Sequence, residues 1–389
     1  MNINVSTLSP ASSVELAWEK VRGLKDIVKA HQKEGDEVRR LPTAVAEAFL
    51  AADIYRVMVP VDFGGLGIDP LTMFDLVEEM SSYDGSTGWN FSIGTGGSVL
   101  CGSMSIEQLA YMFGDPHCNL AGSGSPPGRA VATEGGYRLT GCWGWGSAVH
   151  QARHVGGNAF IFDGDTQRME NGAPVMRFFF IPQNEVEILD TWNTSGMRAT
   201  GSTHWQVKDH FVPEHMAVKV YAGVSEHPAP VYRLPGTYFG FNLCPVSLGV
   251  ARGAIEGLKE LGQKPGSLIK DSAFAQYAVA KAEALHEDNR LNVRESFRPI
   301  WEAVQSGEAI TLEQKARARR SYVLAVEASI EAVQLVVEAA GGAGLSEDYP
   351  FARALRDVHA THAHIVLSRK FMELAGQVSF GGTFNNPIF

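Results

Sequence analysis

Residues 120–149 read LAGSGSPPGRAVATEGGYRLTGCWGWGSAV, and within them the chain changes texture. The AGSGSPPGRA run, from Ala121 to Ala130, is dense in Gly, Ser and Pro and reads as a loop. From YRLTGCWGWGS onward, short β-type runs alternate with turn signals: HVGGNAFIF, VMRFFFIP, VEILDTW and STHWQVKDHFVP. Gly, Asn, Asp and Pro punctuate them at the spacing of an all-β unit that ends near Pro213-Glu214.

The flanks on both sides are helical. Val14, Ala17, Val21, Leu24 and Val28 recur at helical spacing, and Leu41-Pro42-Thr43 restarts a helix through Val45, Phe49 and Ala52. VMVPVDFGGLGIDP, from Val57 to Pro70, is a structured loop broken by Pro60, Gly64, Gly65 and Gly67. A helix from about Leu71 to Ser82 is expected to turn Asp75, Glu78 and Glu79 to solvent. From about Tyr238 helices return: Ala251 to Leu261, Asp271 to about Arg294, and Thr311 to Ala340. The last of these carries an apolar stripe of Leu312, Val323, Val326, Ile330, Val333 and Val337, and Gly341-Gly342 caps it. A final helix is expected over roughly Ala352 to Ala375. The division is thus a helical domain over 1–120, a β domain over 121–225 and a helical bundle over 226–389. Helices, then strands, then helices disfavours a doubly wound α/β fold, in which the two alternate throughout.

Composition agrees with a multidomain globular chain. It has 389 residues, more than one core normally serves, with 45% hydrophobic and 20% charged residues. The net charge of −10 and pI of about 5.7 argue against nucleic acid or an anionic membrane as the main partner. The four cysteines, Cys101, Cys118, Cys142 and Cys244, show neither a CxxC pair nor zinc-site spacing, and read as free thiols of a reducing compartment. No basic-then-apolar leader is visible, and no apolar stretch approaches the roughly 20 residues that span a bilayer. The expected location is cytoplasmic.

Four segments, in order, resemble the acyl-CoA dehydrogenase superfamily. LPTAVAEAFLAADIYRVMVPVDFGGLGIDPLTMFDLVEEMSSYDGSTGWN resembles its N-terminal domain with a VPxxxGGLG loop. LTGCWGWGSAV is similar to its flavin-facing strand, and TWNTSGMRATGSTHWQVKDHFVPE to the GMRxTxS…VP strands. AAGGAGLSEDYPFARALRDVHA resembles the C-terminal GGxG…YP…R…RD segment. The resemblance implies an α+β fold: an N-terminal helical domain, a central β-barrel or sandwich and a C-terminal four-helix bundle, enclosing a flavin.

One departure redirects the chemistry. The dehydrogenases usually carry a Glu shortly after the RD pair, which removes the proton α to a thioester carbonyl. Here Arg356-Asp357 is followed by VHATHAHIVLSRK, which holds no carboxylate. Without a positioned base, α-proton abstraction has no agent. Arg356, Asp357 and His364, together with Trp143, Trp145 and Ser147 and the DGSTGW stretch from Asp84 to Trp89, resemble the two-component flavin monooxygenases of the same fold. Those include the oxygenase components of 4-hydroxyphenylacetate and other phenol hydroxylases, dibenzothiophene monooxygenase, and indole or polyketide hydroxylases.

That resemblance implies an oxygenase component that takes reduced flavin, FADH2 or FMNH2, from an NAD(P)H-dependent flavin reductase. With O2 it forms a C4a-hydroperoxide and hydroxylates a small aromatic substrate of phenol or indole type. It also implies a homotetramer. Ser147 is the expected hydroxyl near flavin N5; a turn serine bonding its own backbone is the local alternative. His364 is expected to hydrogen-bond the peroxide or assist substrate deprotonation. Trp145 is expected on the flavin rings, with Trp143 less firmly placed. Arg198 and Thr200 are expected at the flavin tail or a neighbouring strand, and Gly341 and Gly342 also in the cofactor set. Trp89, Gly94 and Ser123 are expected on the substrate side, although the loop holding Ser123 equally suits a domain linker. His359 and His362 are three apart, but no carboxylate or thiolate lies in the same turns, so no metal is expected. Three alternatives compete: a flavin dehydrogenase or oxidase acting on an acyl thioester, an N- or S-oxygenase on the same scaffold, and a flavoprotein that has kept only the fold.

Overall fold

The structure is a computed structural model that describes residues 9–220, 223–384, 386 and 388–389. Among the described residues the N-terminal part holds seven α-helices: α1 (Pro10–Gly23), α2 (Lys25–Ala30), α3 (Gln32–Val38), α4 (Thr43–Ala51), α5 (Pro70–Tyr83), α6 (Gly85–Gly96) and α7 (Ile106–Gly114). Their starts are written in the sequence. Ser9 precedes Pro10 and accepts the Ser12 N–H, Asp69 precedes Pro70 and accepts the N–H groups of Leu71 and Thr72, and Asp84 caps α6 through the Thr87 N–H. Between α4 and α5, the VPxxxGGLG loop closes tightly. A Cβ on Gly65 would fall 2.0 Å from the Val59 carbonyl oxygen, so no other residue fits there.

Ten strands follow among the described residues: β1 (Leu120–Thr133), β2 (Gly136–Gly146), β3 (His154–Asp163), β4 (Thr166–Gln167), β5 (Met169–Glu170), β6 (Ala173–Pro174), β7 (Met176–Pro182), β8 (Glu187–Leu189), β9 (Thr203–Pro213) and β10 (Ala217–Val218). The central β unit is one eight-stranded sheet. Its order is β10-β7-β3-β1-β2-β9-β8 with β4 attached to β3, and β5 and β6 pair separately. The pairing of β1 with β3 is parallel and the other pairings are antiparallel. The Gly/Ser/Pro run expected as a loop is the first half of β1, whose register slips between Ser123 and Gly128 to accommodate it.

The C-terminal part is helical: α8 (Tyr238–Gln263), α9 (Ala273–Ser306), α10 (Leu312–Ala340), α11 (Phe351–His362) and α12 (Lys370–Ser379). Thr311 and Gln314 form a reciprocal capping box at the start of α10. α5 and α6 lie against α8, so the first helical unit and the bundle share a buried face. No helix among the described residues is long and apolar enough to cross a membrane.

Two further expectations change. The helix expected over Ala352 to Ala375 breaks after His362. His364 is extended (φ −71°, ψ 132°), and residues Ile365–Leu367 form a 3-10 turn. The break is held from below, where the buried Arg319 guanidinium donates to the Val366 carbonyl at 3.2 Å. Glu78, expected on a wet face, is 1% exposed. Its carboxylate takes Arg290 at 2.6 Å and His286 at 3.0 Å from α9, with Arg252 of α8 at 3.5 Å. Asp75 beside it takes Arg290 and Arg294 at 2.5 and 2.6 Å. The wet face of α5 is in fact an ionic seam with the bundle.

Candidate functional site

The end of β2 is where the sheet stops being regular. Trp143 pairs with Trp205 and Gly146 with Thr203, with a register shift between them. Trp145 and Ala148 both adopt φ of +62°, a conformation that non-glycine residues hold only under constraint. The kink turns successive side chains to different environments. Trp145 is 64% exposed and lies edge-on to Trp192 at 5.9 Å, while Ser147 is 6% exposed and points inward. Ser147 also bridges Gly122 of β1.

Trp143 has a different role from the one expected. It is fully buried, stacked on Trp205 at 4.3 Å, and donates its indole N–H to the Asn158 carbonyl at 2.8 Å. A Cβ on Gly157 would sit 2.5 Å from the indole, so a slot of small residues holds the ring. Its ring is occupied by sheet packing and offers no face to a cofactor.

Three of the expected residues, one from each part of the chain, converge at Ser147. Trp89 of α6 donates its indole N–H to Ser147 Oγ at 2.9 Å. The ring of Trp89 meets His364 edge-on at 5.4 Å, and Phe239 of α8 approaches the same imidazole at 5.6 Å, near-perpendicular. His364 reaches this place because α11 ends early; an unbroken helix would carry the side chain around its axis. Its Nδ1 accepts the Val366 N–H at 3.4 Å, which leaves the proton on Nε2. Burial among these rings pushes its pKa down to about 4. His364 is therefore neutral near pH 7, and it offers an N–H donor.

Beneath Ser147 runs a line of hydroxyls. Ser147 Oγ lies 2.6 Å from Ser202 Oγ, which lies 2.7 Å from Thr200 Oγ1, which donates to the Met197 carbonyl at 2.8 Å. Thr200, expected at the flavin tail or a neighbouring strand, lies two hydroxyls behind Ser147. Ser202 was not singled out from sequence, although it is the last letter of the GMRxTxS pattern; Phe239 carried no signal at all.

The other expected residues lie apart from this centre. Arg198 donates to the carbonyls of Asp36 and Thr194 at 2.9 and 2.6 Å, tying the β9 approach to α3. Gly94 gives its space to Tyr55, whose ring would lie 2.4 Å from an added Cβ, so the room expected for a substrate ring is already filled. Ser123 bonds within its own turn, its Oγ 3.3 Å from both the N and O of Ser125. Gly341 and Gly342 close α10 at an open surface, where an added Cβ would meet nothing within 4 Å.

Asp357 of the RD pair does not reach the centre but anchors it. Its carboxylate accepts the Met197 N–H at 2.5 Å, on the turn that carries Thr200 and Ser202. Burial, with Asp84 and Asp36 nearby, pushes its pKa up to about 7, against the pull of the Met197 N–H and Arg353. Away from all this, an open cleft of about 450 Å³ is walled by Asp53, Arg56, Asp62 and Phe113, but it shares no residue with the Ser147 centre.

Helices, a central sheet and helices in this order are the acyl-CoA dehydrogenase fold. The family's N-terminal domain matches residues 18–109 and its C-terminal domain residues 241–369. The chain belongs to the flavin-dependent monooxygenase branch of the acyl-CoA dehydrogenase superfamily. It is 31% identical over 347 residues to the flavin-dependent monooxygenase oxygenase subunit HsaA of Mycobacterium tuberculosis, covering 85% of this chain and 86% of that one. It is 30% identical over 366 residues to indole-3-acetate monooxygenase of Pseudomonas putida, covering 92% of both. Among solved structures, 3-HSA hydroxylase from Rhodococcus sp. RHA1 superposes with a TM-score of 0.86 at 25% identity, over 96% of this chain and 99% of that one. XiaF from Streptomyces sp., in complex with FADH2 and glycerol, gives 0.85 at 26% identity over 97% of both chains.

Proposed function

We propose that this chain is the oxygenase component of a two-component flavin-dependent monooxygenase, acting on a small aromatic substrate of phenol or indole type. When bound, reduced flavin supplies the two electrons that split O2, one oxygen atom entering the substrate and the other leaving as water. FADH2 or FMNH2 would come from a separate NAD(P)H-dependent reductase.

The carrying observation is the set of groups that meet at the centre: a hydroxyl, an indole N–H and a neutral imidazole. At the centre Ser147 can accept a hydrogen bond and the His364 N–H can donate one, but none of the groups is a base suited to pH 7. A dehydrogenase needs such a base for α-proton abstraction. The groups fit a flavin ring edge. Ser147 has a lone pair to offer, and the slipped register between Trp143 and Gly146 interrupts the β2–β9 pairing beside it. Trp145, exposed on that same turn, is the ring surface for stacking the flavin. Ser147 holds the N5 proton in place, and His364 donates from Nε2 to the oxygen being transferred or to the substrate oxygen. Trp89 orients both. The buried ring of Trp89 and the half-buried ring of Phe239 shield the transfer from water.

The chain is further proposed to assemble as a homotetramer. Phe274, Tyr277 and Leu291 on α9 and Leu324 on α10 are exposed apolar side chains of the bundle. Light scattering on the purified protein checks the mass.

The function is tested by mixing the protein with chemically reduced FMN or FAD in aerated buffer. An oxygenase gives a transient absorbance before oxidised flavin appears; immediate oxidation with stoichiometric H2O2 opposes the reading. Yellow FAD that co-purifies and is bleached by an acyl-CoA supports the dehydrogenase alternative. In His364→Ala, H2O2 is expected to rise and hydroxylated product to fall by about 10²-fold or more. Unchanged yield removes His364 from the mechanism.

A further inference from the structure

The hydroxyl line beneath Ser147 has only one direction in which its protons can point. The Met197 carbonyl can only accept, so Thr200 places its single proton there, at 2.8 Å. In the 2.7 Å contact between Thr200 and Ser202, the donor must then be Ser202. Its proton being used, the 2.6 Å contact between Ser202 and Ser147 must be donated by Ser147. From the other side, the Trp89 indole N–H, which can only donate, occupies one lone pair of Ser147 Oγ at 2.9 Å. Ser147, Ser202 and Thr200 are all buried, so bulk water does not scramble the order. The line is anchored at its far end, where Asp357 holds the Met197 N–H. What Ser147 presents to the site is therefore one lone pair and no proton.

We propose that Ser202 and Thr200 are positioning residues that lock Ser147 as a hydrogen-bond acceptor, and so make the site select reduced over oxidised flavin. The inference rests on the flavin reading of the Ser147 centre. Reduced flavin carries a proton on N5, which the locked lone pair accepts. Oxidised flavin carries a lone pair at N5, which meets the lone pair of Ser147 and gains no bond. The chain thereby retains flavin delivered by a reductase and lets go of it once oxidised, with no moving part. Breaking the line at either hydroxyl frees the Ser147 proton to turn outward, and oxidised flavin then gains the bond it lacked.

The experiment compares two dissociation constants. Oxidised FMN and FAD are titrated in air, and the same flavins, reduced with dithionite, are titrated under anaerobic conditions. The wild-type protein is expected to bind the reduced form more tightly. In Ser202→Ala the ratio of oxidised to reduced dissociation constants is expected to fall about tenfold, the worth of one hydrogen bond to a buried partner, mainly through tighter binding of the oxidised form. Thr200→Val breaks the line one position further back and is expected to shift the ratio the same way. Ser202→Thr restores the hydroxyl and the ratio, which a merely structural residue would not do for one redox state alone. If a variant does not fold, the other carries the test. A ratio within twofold of wild type in either folded variant overturns the inference while leaving the flavin site intact. A wild-type protein that binds neither redox state overturns the flavin reading and the inference with it.

Discussion

At the scale of single residues, the same letters serve unlike purposes a few positions apart. Trp143, Trp145 and Ser147 share one strand end. The first fills the sheet interior, the second stands in solvent, and the third is buried and turned inward. Spacing alone predicts alternation; the +62° turns at Trp145 and Ala148 decide which residue goes where. Trp143→Ala is expected to destabilise by about 3–5 kcal/mol, measured by chemical denaturation, because the stacked partner Trp205 would line a cavity. Gly94 was legible as small but not as to why. Gly94→Val should cost on the order of 1–3 kcal/mol by forcing the Tyr55 ring aside, with flavin binding unaffected in the folded fraction. His364 carries a pH signature. Its folded pKa of about 4 lies below the unfolded value, so its share of stability is fully present above roughly pH 6.5. That share is lost as pH falls from there toward 4. NMR titration of the imidazole should show no transition between pH 6 and 8, and a midpoint near 6.5 refutes the neutral-donor role.

At the scale of elements, the periodic patterns placed the long helices but not their ends or their partners. The break after His362 has no Pro or Gly to announce it, and the Arg319 guanidinium on α10 that holds it bonds a carbonyl 47 positions downstream. Glu78 looked solvated because its apolar neighbours already formed a stripe, and its true partner Arg290 lies 212 positions away. Glu78→Ala should cost roughly 3–5 kcal/mol, since it strands the cations of α9 beside a buried face, and clearly more than Glu79→Ala at the better-exposed neighbour. Comparing the two thermal midpoints is enough. Asp357 couples α11 to the Met197 turn, and its folded pKa is raised, to about 7. The folded state thus binds the extra proton between about pH 4 and 7. Its stabilising share is complete below the unfolded pKa and disappears as pH rises through 7. Asp357→Asn keeps an acceptor for Met197 and removes the ionisation. Its stability relative to wild type should be higher at pH 8 than at pH 5 by on the order of 2–4 kcal/mol; a pH-independent difference rejects this.

At the scale of the whole molecule, the site exists only because three parts of the chain close on one point. Trp89 and Ser147 are 58 positions apart, and His364 comes from the far end of the bundle. The sequence by itself determined the order of helices, strands and helices, the caps that start α1, α5 and α6, and the missing carboxylate after Arg356-Asp357. These are local properties, set by side-chain type, period and neighbouring residues. Only the tertiary structure decided that Glu78 is buried, that His364 is a neutral donor, and that Ser147 offers a lone pair and not a proton. Burial, ionisation and hydrogen-bond direction depend on which distant groups share a low-dielectric space, and the spacing of letters along a chain does not encode that.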